Sequence, residues 1–350
     1  MNKTVIAIVG CGRISESAHF PALSKMENVR IKYACDLIEE KALDKQKRYG
    51  AEQVITDYNI ALNDPEVEIV YVLTQNFAHY TVTMDALKAG KHVFCEKPIT
   101  VNYPLAQEMY NEAEKQGKML AIGVCNRYHK SVEEIAQMYK EGKLGEIYHI
   151  YCCFRGYRSI PGLGGAFTTK AQSGGGVLID WGIHFLDLIL YILGGAKIQS
   201  VSANTYSKMA PTISDYKYKD MWAGPPIPDG INDVEDFVTG YIRTDKGSIS
   251  FNGSWAQNIA GKNEMYVDFL GDKAGVRLNY GHEYTVYEND LNIWQSSGEI
   301  PNMFAAESKD FIAACKEGRR TRSNIQNILE SQKLLDAIYR SAEENKEIVF

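Results

Sequence analysis

The 350-residue chain has no basic excess: 38 lysines and arginines stand against 44 aspartates and glutamates, a net charge of −6. Nucleic-acid binding usually needs a basic footprint, so that partner class is disfavoured. No apolar run is long enough for a bilayer, which takes about 20 residues. The longest, 183–193, is broken by Asp187. No signal-like segment opens the chain, since Met1-Asn2-Lys3 runs directly into a short apolar stretch. The seven cysteines form no C-x-x-C pair and do not cluster with histidine at zinc spacing, and there is no H-x-x-x-H. This argues against a metal site and for free thiols in a reducing cytoplasm. There is no repeat and no low-complexity tract.

What is present is a rhythm. Candidate strands at 4–9, 29–35, 69–73, 92–96 and 119–124 alternate with amphipathic stretches at 39–49, 79–89 and 104–116. Strands alternating with helices predict a parallel sheet covered on both faces. Right-handed crossovers then give a doubly wound α/β domain over residues 1–126. From 127 the pattern changes. Helices at 131–141 and 178–193 flank strands at 148–155, 199–206, 236–243, 248–255, 265–270, 275–278 and 284–288, and a helix at 324–341 closes the chain. Many of these strands alternate apolar and polar residues, as antiparallel strands with one covered face do. Residues 127–350 therefore read as an α+β domain. Its uncovered face, rich in Tyr and Phe, is expected to form a homodimer or homotetramer.

The stretch TVIAIVGCGRIS breaks from strand to helix at Gly10-Cys11-Gly12. The first glycine permits the tight turn. The second lets a pyrophosphate approach the backbone, and the helix N-terminus supplies free N–H groups. The third position of G-x-G-x-x-G is Ser15, small but not glycine. The second strand ends in Asp36, about 24 residues beyond Gly12, where an acid suits the hydroxyls of an adenosine ribose. It would repel a 2′-phosphate, and no arginine follows at 37 or 38, so NAD is favoured over NADP. A purely structural turn with a surface aspartate remains the alternative.

Two more strand ends lie at the same sheet edge. HVFCEKPIT ends a strand at Glu96-Lys97-Pro98, and Pro98 biases Lys97 toward an extended backbone. A lysine there can hold a substrate oxygen and stabilise negative charge, or it can simply be solvated. VLTQNFAHY ends another strand, with Asn76 and His79 able to face a cofactor or merely to begin a helix. In the second domain, SGGGVLIDWGIHFLDLILYILG carries Asp180, His184 and Asp187 on an otherwise apolar helix. Offsets of four and three put them on one face. Buried ionisable groups are costly unless paired or used. A histidine oriented by an aspartate can take or give a proton near neutral pH, though a structural pair would look the same. Glycines 174–176 are expected to let backbone approach a ligand.

These segments together resemble the glucose-fructose oxidoreductase / inositol dehydrogenase / rhizopine-catabolism (Gfo/Idh/MocA) family, nearly end to end. The resemblance rests on GCGRIS at 10–15, CD at 35–36, TQN at 74–76, EKP at 96–98, GVCNRY at 123–128 and DWGIHFLD at 180–187. It implies an N-terminal Rossmann domain and a C-terminal α+β domain with a large, mostly antiparallel open sheet, often used for oligomerisation. It also implies that Gly10, Gly12, Arg13, Ile14, Asp36, Thr74, Asn76, Glu96, Lys97 and Arg127 line the NAD site, and His79 joins them as a cofactor candidate. Lys97 would touch the reacting oxygen, His184 would accept the proton, and Asp180 would hold the substrate or the histidine. Pro21, awkward inside the first helix, falls where relatives have a kink. The chain departs from the pattern at Gln75, where many members have proline, and at Trp181, where Asn or Leu is more usual.

The reading is thus an NAD-dependent dehydrogenase acting on a secondary hydroxyl of a sugar, cyclitol or related polyol, with no metal. Arg155, Tyr157 and Trp181 join Lys97, Asp180 and His184 as substrate-binding candidates, with Trp222 and Trp255 as further aromatic candidates. Residues 216–233 read as a long loop able to cover the pocket or reach a neighbouring subunit. Two alternatives stay open: an NAD-dependent glycoside hydrolase of the same superfamily, and a non-catalytic NAD-dependent sugar sensor.

Overall fold

The computed structural model describes residues 3–218, 221–259, 261–280, 283–297 and 302–350, and the chain forms two compact units. The first is built on six parallel strands: β1 (Thr4–Val9), β2 (Val29–Cys35), β3 (Gln53–Ile55), β4 (Ile69–Val72), β5 (His92–Glu96) and β6 (Leu120–Gly123). Their order is β3-β2-β1-β4-β5-β6. It reverses between β1 and β4, and such sheets bind ligands beyond the strand carboxyl ends at that point. Every residue of β1 and β4 is buried, as covering both faces demands.

The first crossover departs from α geometry. Ser15–His19 form a π-helical turn, and Phe20–Leu23 a single α turn. Pro21 accounts for the break: it has no N–H for the Ser17 carbonyl, and its ring crowds that oxygen, so the preceding turn widens.

The division expected at residue 126 needs a correction. The first unit comprises Met1–Cys125 and Asn302–Leu329, and the second Asn126–Pro301 and Glu330–Phe350. The cause is apolar burial. Helix Met303–Glu317 buries Phe311 and Ile312 in one core with Phe20, Leu23, Tyr71 and Phe94. The Phe311 ring lies 6.0 Å from that of Tyr71 and 5.7 Å from that of Phe94.

The second unit carries a nine-stranded sheet: β7 (Ile147–Arg155), β8 (Ile198–Tyr206), β9 (Phe237–Thr244), β10 (Gly247–Ser254), β11 (Glu264–Gly271), β12 (Ala274–Asn279), β13 (Glu283–Glu288), β14 (Ile293–Ser297) and β15 (Ile348–Val349). The order is β14-β13-β12-β11-β7-β10-β9-β8-β15. Among the described residues only the β7–β10 pair is parallel. One face packs on helices Lys130–Lys140, Ile183–Ile192 and Leu329–Glu344 through a core that includes Phe154, Phe185, Phe251 and Phe269. The other face presents Tyr151, Tyr241 and Tyr287 to solvent. The stretch Lys170–Ile192 is long and apolar enough to cross a membrane by length and composition, yet 83% of its apolar window is buried in the protein, as a core helix is.

Phe311→Ala should destabilise the protein by about 3–5 kcal/mol, the cost of emptying a large aromatic site. Limited proteolysis of this variant should cut first within residues 1–125. Preferential cutting within 126–301 would contradict the assignment of 302–329 to the first unit.

Candidate active site

The glycine turn after β1 has two kinds of glycine. Gly10 has φ +101°, and a Cβ there would lie 2.4 Å from the Leu73 carbonyl oxygen, so no other residue fits. A Cβ on Gly12 would meet nothing within 4 Å. The space over the turn is open where a pyrophosphate would approach. Asp36 at the end of β2 fixes the turn's shape. Its Oδ2 accepts the Cys11 N–H at 2.8 Å and its Oδ1 the Ile38 N–H at 2.9 Å. A carboxylate has about four acceptor directions, which leaves room for ribose hydroxyls. These residues fit a dinucleotide. Arg13 is exposed and Ile14 half-buried at the start of the π turn. Leu37 is 92% exposed and Ile38 49%, an apolar pair beside the ribose position that offers a surface to a flat base. Sequence reading passed over both, because exposed apolar residues are common and carry no pattern. Burial pushes the thiols of Cys11 and Cys35 up to about 12, which leaves them inert.

The ends of β4 and β5 lie on the same edge. Thr74, Asn76 and Lys97 are half-buried, and the Lys97–Pro98 peptide is cis. Glu96 and His79, both expected to line the cofactor site, instead turn inward. Glu96 is buried, with Oε1 2.7 Å from His19 Nε2 and Oε2 accepting the Lys97 N–H at 3.0 Å. A Cβ on Gly123 would lie 2.8 Å from this carboxyl group. His79 is 1% exposed. Its Nδ1 is 2.8 Å from the Pro98 carbonyl oxygen and its Nε2 3.1 Å from that of Thr74. Burial lowers its pKa, so the ring is neutral at pH 7 and donates to only one of the two. Glu96 thus supports Lys97, and His79, buried between the Pro98 and Thr74 carbonyls, anchors one of them to helix Asn76–Lys88.

In the second unit, Leu178–Gly182 form another π-helical turn, continued by helix Ile183–Ile192. The polar stripe expected on one face is divided. Asp187 is buried: its Oδ2 accepts Arg127 Nε–H at 2.8 Å, and its Oδ1 accepts Arg127 Nη2–H and the Ser331 hydroxyl, each at 2.7 Å. The guanidinium stands 5.1 Å from the Tyr191 ring centroid. Arg127, expected on the NAD site, is here a buried anchor for the helix. Asp180 accepts the Trp255 Nε1–H at 3.2 Å. Between Ile183 and Leu190, only His184 is not fully buried.

Of the glycines at 174–176, Gly175 and Gly176 make room for protein. A Cβ on Gly175 would sit 2.1 Å from the Tyr339 hydroxyl oxygen, and one on Gly176 1.9 Å from the Glu235 carbonyl oxygen. Neither Glu235 nor Tyr339 bore a local signal. Of the substrate candidates, Trp181 is half-buried, with a ring carbon 3.1 Å from where a Gly156 Cβ would be. Tyr157 is half-buried, 4.6 Å from the Arg158 guanidinium. Trp255 is buried, and Trp222 meets Phe167 edge-on at 5.2 Å. Arg155 is not brought to Asp180. It pairs with Glu264 directly opposite on β11. Its neighbour Phe154 stacks on Phe185 of the helix at 5.1 Å. Strand alternation therefore points Arg155 to the far face of the sheet, out of the substrate set.

The loop at 216–233, of which Lys219 and Asp220 lie outside the described residues, is tied to its own unit. The Ile227 N–H reaches the Leu163 carbonyl at 2.8 Å, and the Thr168 hydroxyl the Ile231 carbonyl at 2.8 Å.

Asp187→Ala should cost about 3–5 kcal/mol, because it strands a buried guanidinium. The pair Arg127→Met with Asp187→Leu should recover most of that loss in denaturant unfolding. Equal losses in the single and double variants would contradict a buried, mutually dependent pair.

Comparison with known proteins agrees with this geometry. Residues 4–124 match an oxidoreductase family described as an NAD-binding Rossmann fold, and residues 132–277 match the GFO/IDH/MocA C-terminal domain. The D-glucoside 3-dehydrogenase of Escherichia coli (strain K12) is 31% identical over 340 residues, 97% of this chain and 95% of that protein. The inositol 2-dehydrogenase/D-chiro-inositol 3-dehydrogenase of Lactiplantibacillus plantarum is 35% identical over 148 residues, 41% of each. Among solved structures, levoglucosan dehydrogenase in complex with NADH and levoglucosan has a TM-score of 0.87 at 19% identity over 99% of both chains. The aldose-aldose oxidoreductase from Caulobacter crescentus, complexed with glycerol, has a TM-score of 0.84 at 22% identity over 100% of both. At such identities the structural likeness speaks for the fold alone. The sequence matches go further: the chain belongs to the Gfo/Idh/MocA oxidoreductase family and carries its NAD-binding Rossmann domain.

Proposed function

We propose that the protein is an NAD-linked dehydrogenase for a secondary hydroxyl of a sugar, cyclitol or related polyol, with D-glucosides as the first class to test. The observation that carries this reading is one chain holding an open Gly12 turn braced by Asp36, Lys97 at the end of β5, and Asp180 with His184 on a buried helix. The relative matched over 97% of the chain, a D-glucoside 3-dehydrogenase, supports the substrate class. NAD is preferred to NADP because the Asp36 charge repels a 2′-phosphate, and Leu37 and Ile38 follow it instead of arginine.

Bound NAD would supply the hydride acceptor. The chain's own residues handle the proton and the charge. His184 accepts the hydroxyl proton in oxidation and returns it in reduction. Asp180, held by the Trp255 indole, orients the hydroxyl or the imidazole. Lys97 donates to a substrate oxygen and stabilises alkoxide-like charge on it. Trp181 offers a ring face to the apolar side of a sugar.

NADH formation at about 340 nm reads the proposal directly, the absorbance being the cofactor's own. A panel of glucosides, aldoses, anhydrosugars and inositols should give a signal with NAD and a weaker one with NADP. Lys97→Ala and His184→Ala should each lower kcat by roughly 10²- to 10⁴-fold. Gly12→Ala should weaken NAD binding without loss of fold stability, since its Cβ meets nothing within 4 Å. Silence across the panel, with aryl glycosides cleaved and no net NADH, would overturn the proposal in favour of a glycoside hydrolase.

The seven free cysteines, all buried but Cys315, suit a reducing cytoplasm. The uncovered sheet face is the proposed homo-oligomer surface, supported by the exposed rings of Tyr151, Tyr241 and Tyr287. Sedimentation equilibrium should find a dimer or tetramer, and the double variant Tyr151→Glu, Tyr241→Glu should find a monomer. A wild-type monomer at micromolar concentration would contradict it.

A further inference from the structure

We propose that Glu235, backed by Tyr339, is a positioning residue that sets the register of the helix bearing Asp180 and His184. The claim rests on the roles given to those two residues above. A helix leaves its first N–H groups without intrahelical partners, and the preceding side chain usually caps them. Here the local sequence has none to offer. Val177 stands at the cap position and makes no side-chain bond, and residues 174–176 are glycines.

One distant residue takes all three amides in a row. Glu235 Oε2 accepts the Gly176 N–H at 2.8 Å. Its main-chain carbonyl accepts the Val177 N–H at 3.1 Å. Its Oε1 accepts the Leu178 N–H at 3.0 Å and the Tyr339 hydroxyl at 2.9 Å. Glu235 is buried, so water does not compete for these groups. The approach is close enough that neither Gly175 nor Gly176 can carry a Cβ. The glycines are therefore the counterpart of this grip.

The next residue holds Asp180 from the other side. The Asp236 carbonyl accepts the Trp255 N–H at 2.9 Å, and the Trp255 indole donates to Asp180. Asp236 is itself fixed, with Oδ2 accepting the Lys208 N–H at 2.8 Å and the Met209 N–H at 2.6 Å. The Asp180 N–H returns to the Gly176 carbonyl at 3.1 Å. The dipeptide Glu235-Asp236 thus sets both the turn on which Asp180 stands and the indole that Asp180 accepts from. A shift here moves His184 along with its helix. NAD binding belongs to the other unit and should not feel it.

The test compares Glu235→Gln, Glu235→Ala and Tyr339→Phe with wild type in three readouts: steady-state kinetics, NADH binding by fluorescence, and amide hydrogen exchange of the 174–184 peptide. Misplacement of reacting groups by about 1 Å costs roughly 10²-fold, so Glu235→Ala should lose about that in kcat, Glu235→Gln about tenfold and Tyr339→Phe less. NADH affinity should stay within about twofold, because the dinucleotide rests on its own preorganised turn. The 174–184 peptide should exchange faster in the order Ala, Gln, Phe. Tyr339→Phe keeps the question answerable should Glu235→Ala not fold. Unchanged exchange and kcat in folded variants would overturn the inference, as would parallel losses of kcat and NADH binding. Should wild type show no dehydrogenase activity, the exchange arm decides alone: faster exchange upholds the clamp while the dehydrogenase reading falls, and unchanged exchange removes the clamp.

Discussion

The recurring interaction is a carboxylate that accepts main-chain N–H groups at the end of a segment. Asp36 grips Cys11 and Ile38, Glu96 grips Lys97, and Glu235 grips Gly176 and Leu178. Each acts where the backbone stops being regular at the end of a strand or the start of a helical turn. Irregular backbone leaves amides that water or protein must satisfy. A charged acceptor satisfies them more strongly than a neutral one and fixes their direction. The glycines at 10, 123, 175 and 176 follow from this packing, because each lies against a carbonyl, a carboxylate or a hydroxyl that a Cβ would strike.

Ionic burial does a second job. Arg127 and Asp187 exchange two hydrogen bonds inside the second unit, with Ser331 on the same carboxylate. Such a pair gains little net stability over apolar packing, but breaking one half is costly. It selects one rotation of helix Ile183–Ile192. That rotation buries Asp187 and leaves His184 as the side chain with partial exposure. The π turn before it keeps Asp180 and Trp181 clear of regular α spacing. The other π turn, at Ser15–His19, occupies the matching place after the glycine turn.

Much of this was legible in the sequence. Strands buried on both faces read as unbroken apolar runs, so β1, β4 and β5 were visible, and β2 showed through its apolar Val29, Ile31 and Tyr33 alternating with Arg30 and Lys32. Gly10 and Asp36 were visible because a turn and a strand end are local. β3 and β15, of three and two residues, are too short for a periodic signal, and β14, IWQSS, ends in three polar residues that read as loop. Helix Met303–Glu317 escaped notice, and its apolar face could not have announced which core would receive Phe311. The charged residues were harder. Arg127 and Glu96 stand within the motifs and His79 beside one, where a ligand contact is expected, but Asp187, His19 and Pro98, which they meet, lie 60, 77 and 19 residues away. For Arg155 the obstacle is different: the face a strand residue takes depends on register, and one step reverses it. Glu235 had no local signal, because its grip crosses 59 residues.

The central claim is that a hydride leaves a sugar carbon while this chain manages the proton and the charge. Isotope tracing tests it most directly. The protein would be incubated with NAD and its best substrate deuterated at the reacting carbon. The recovered cofactor would then be examined by NMR. The account predicts one deuterium at nicotinamide C4 for each oxidised sugar. Substrate turnover with the label still on the sugar carbon, or reduced cofactor without label, would contradict it.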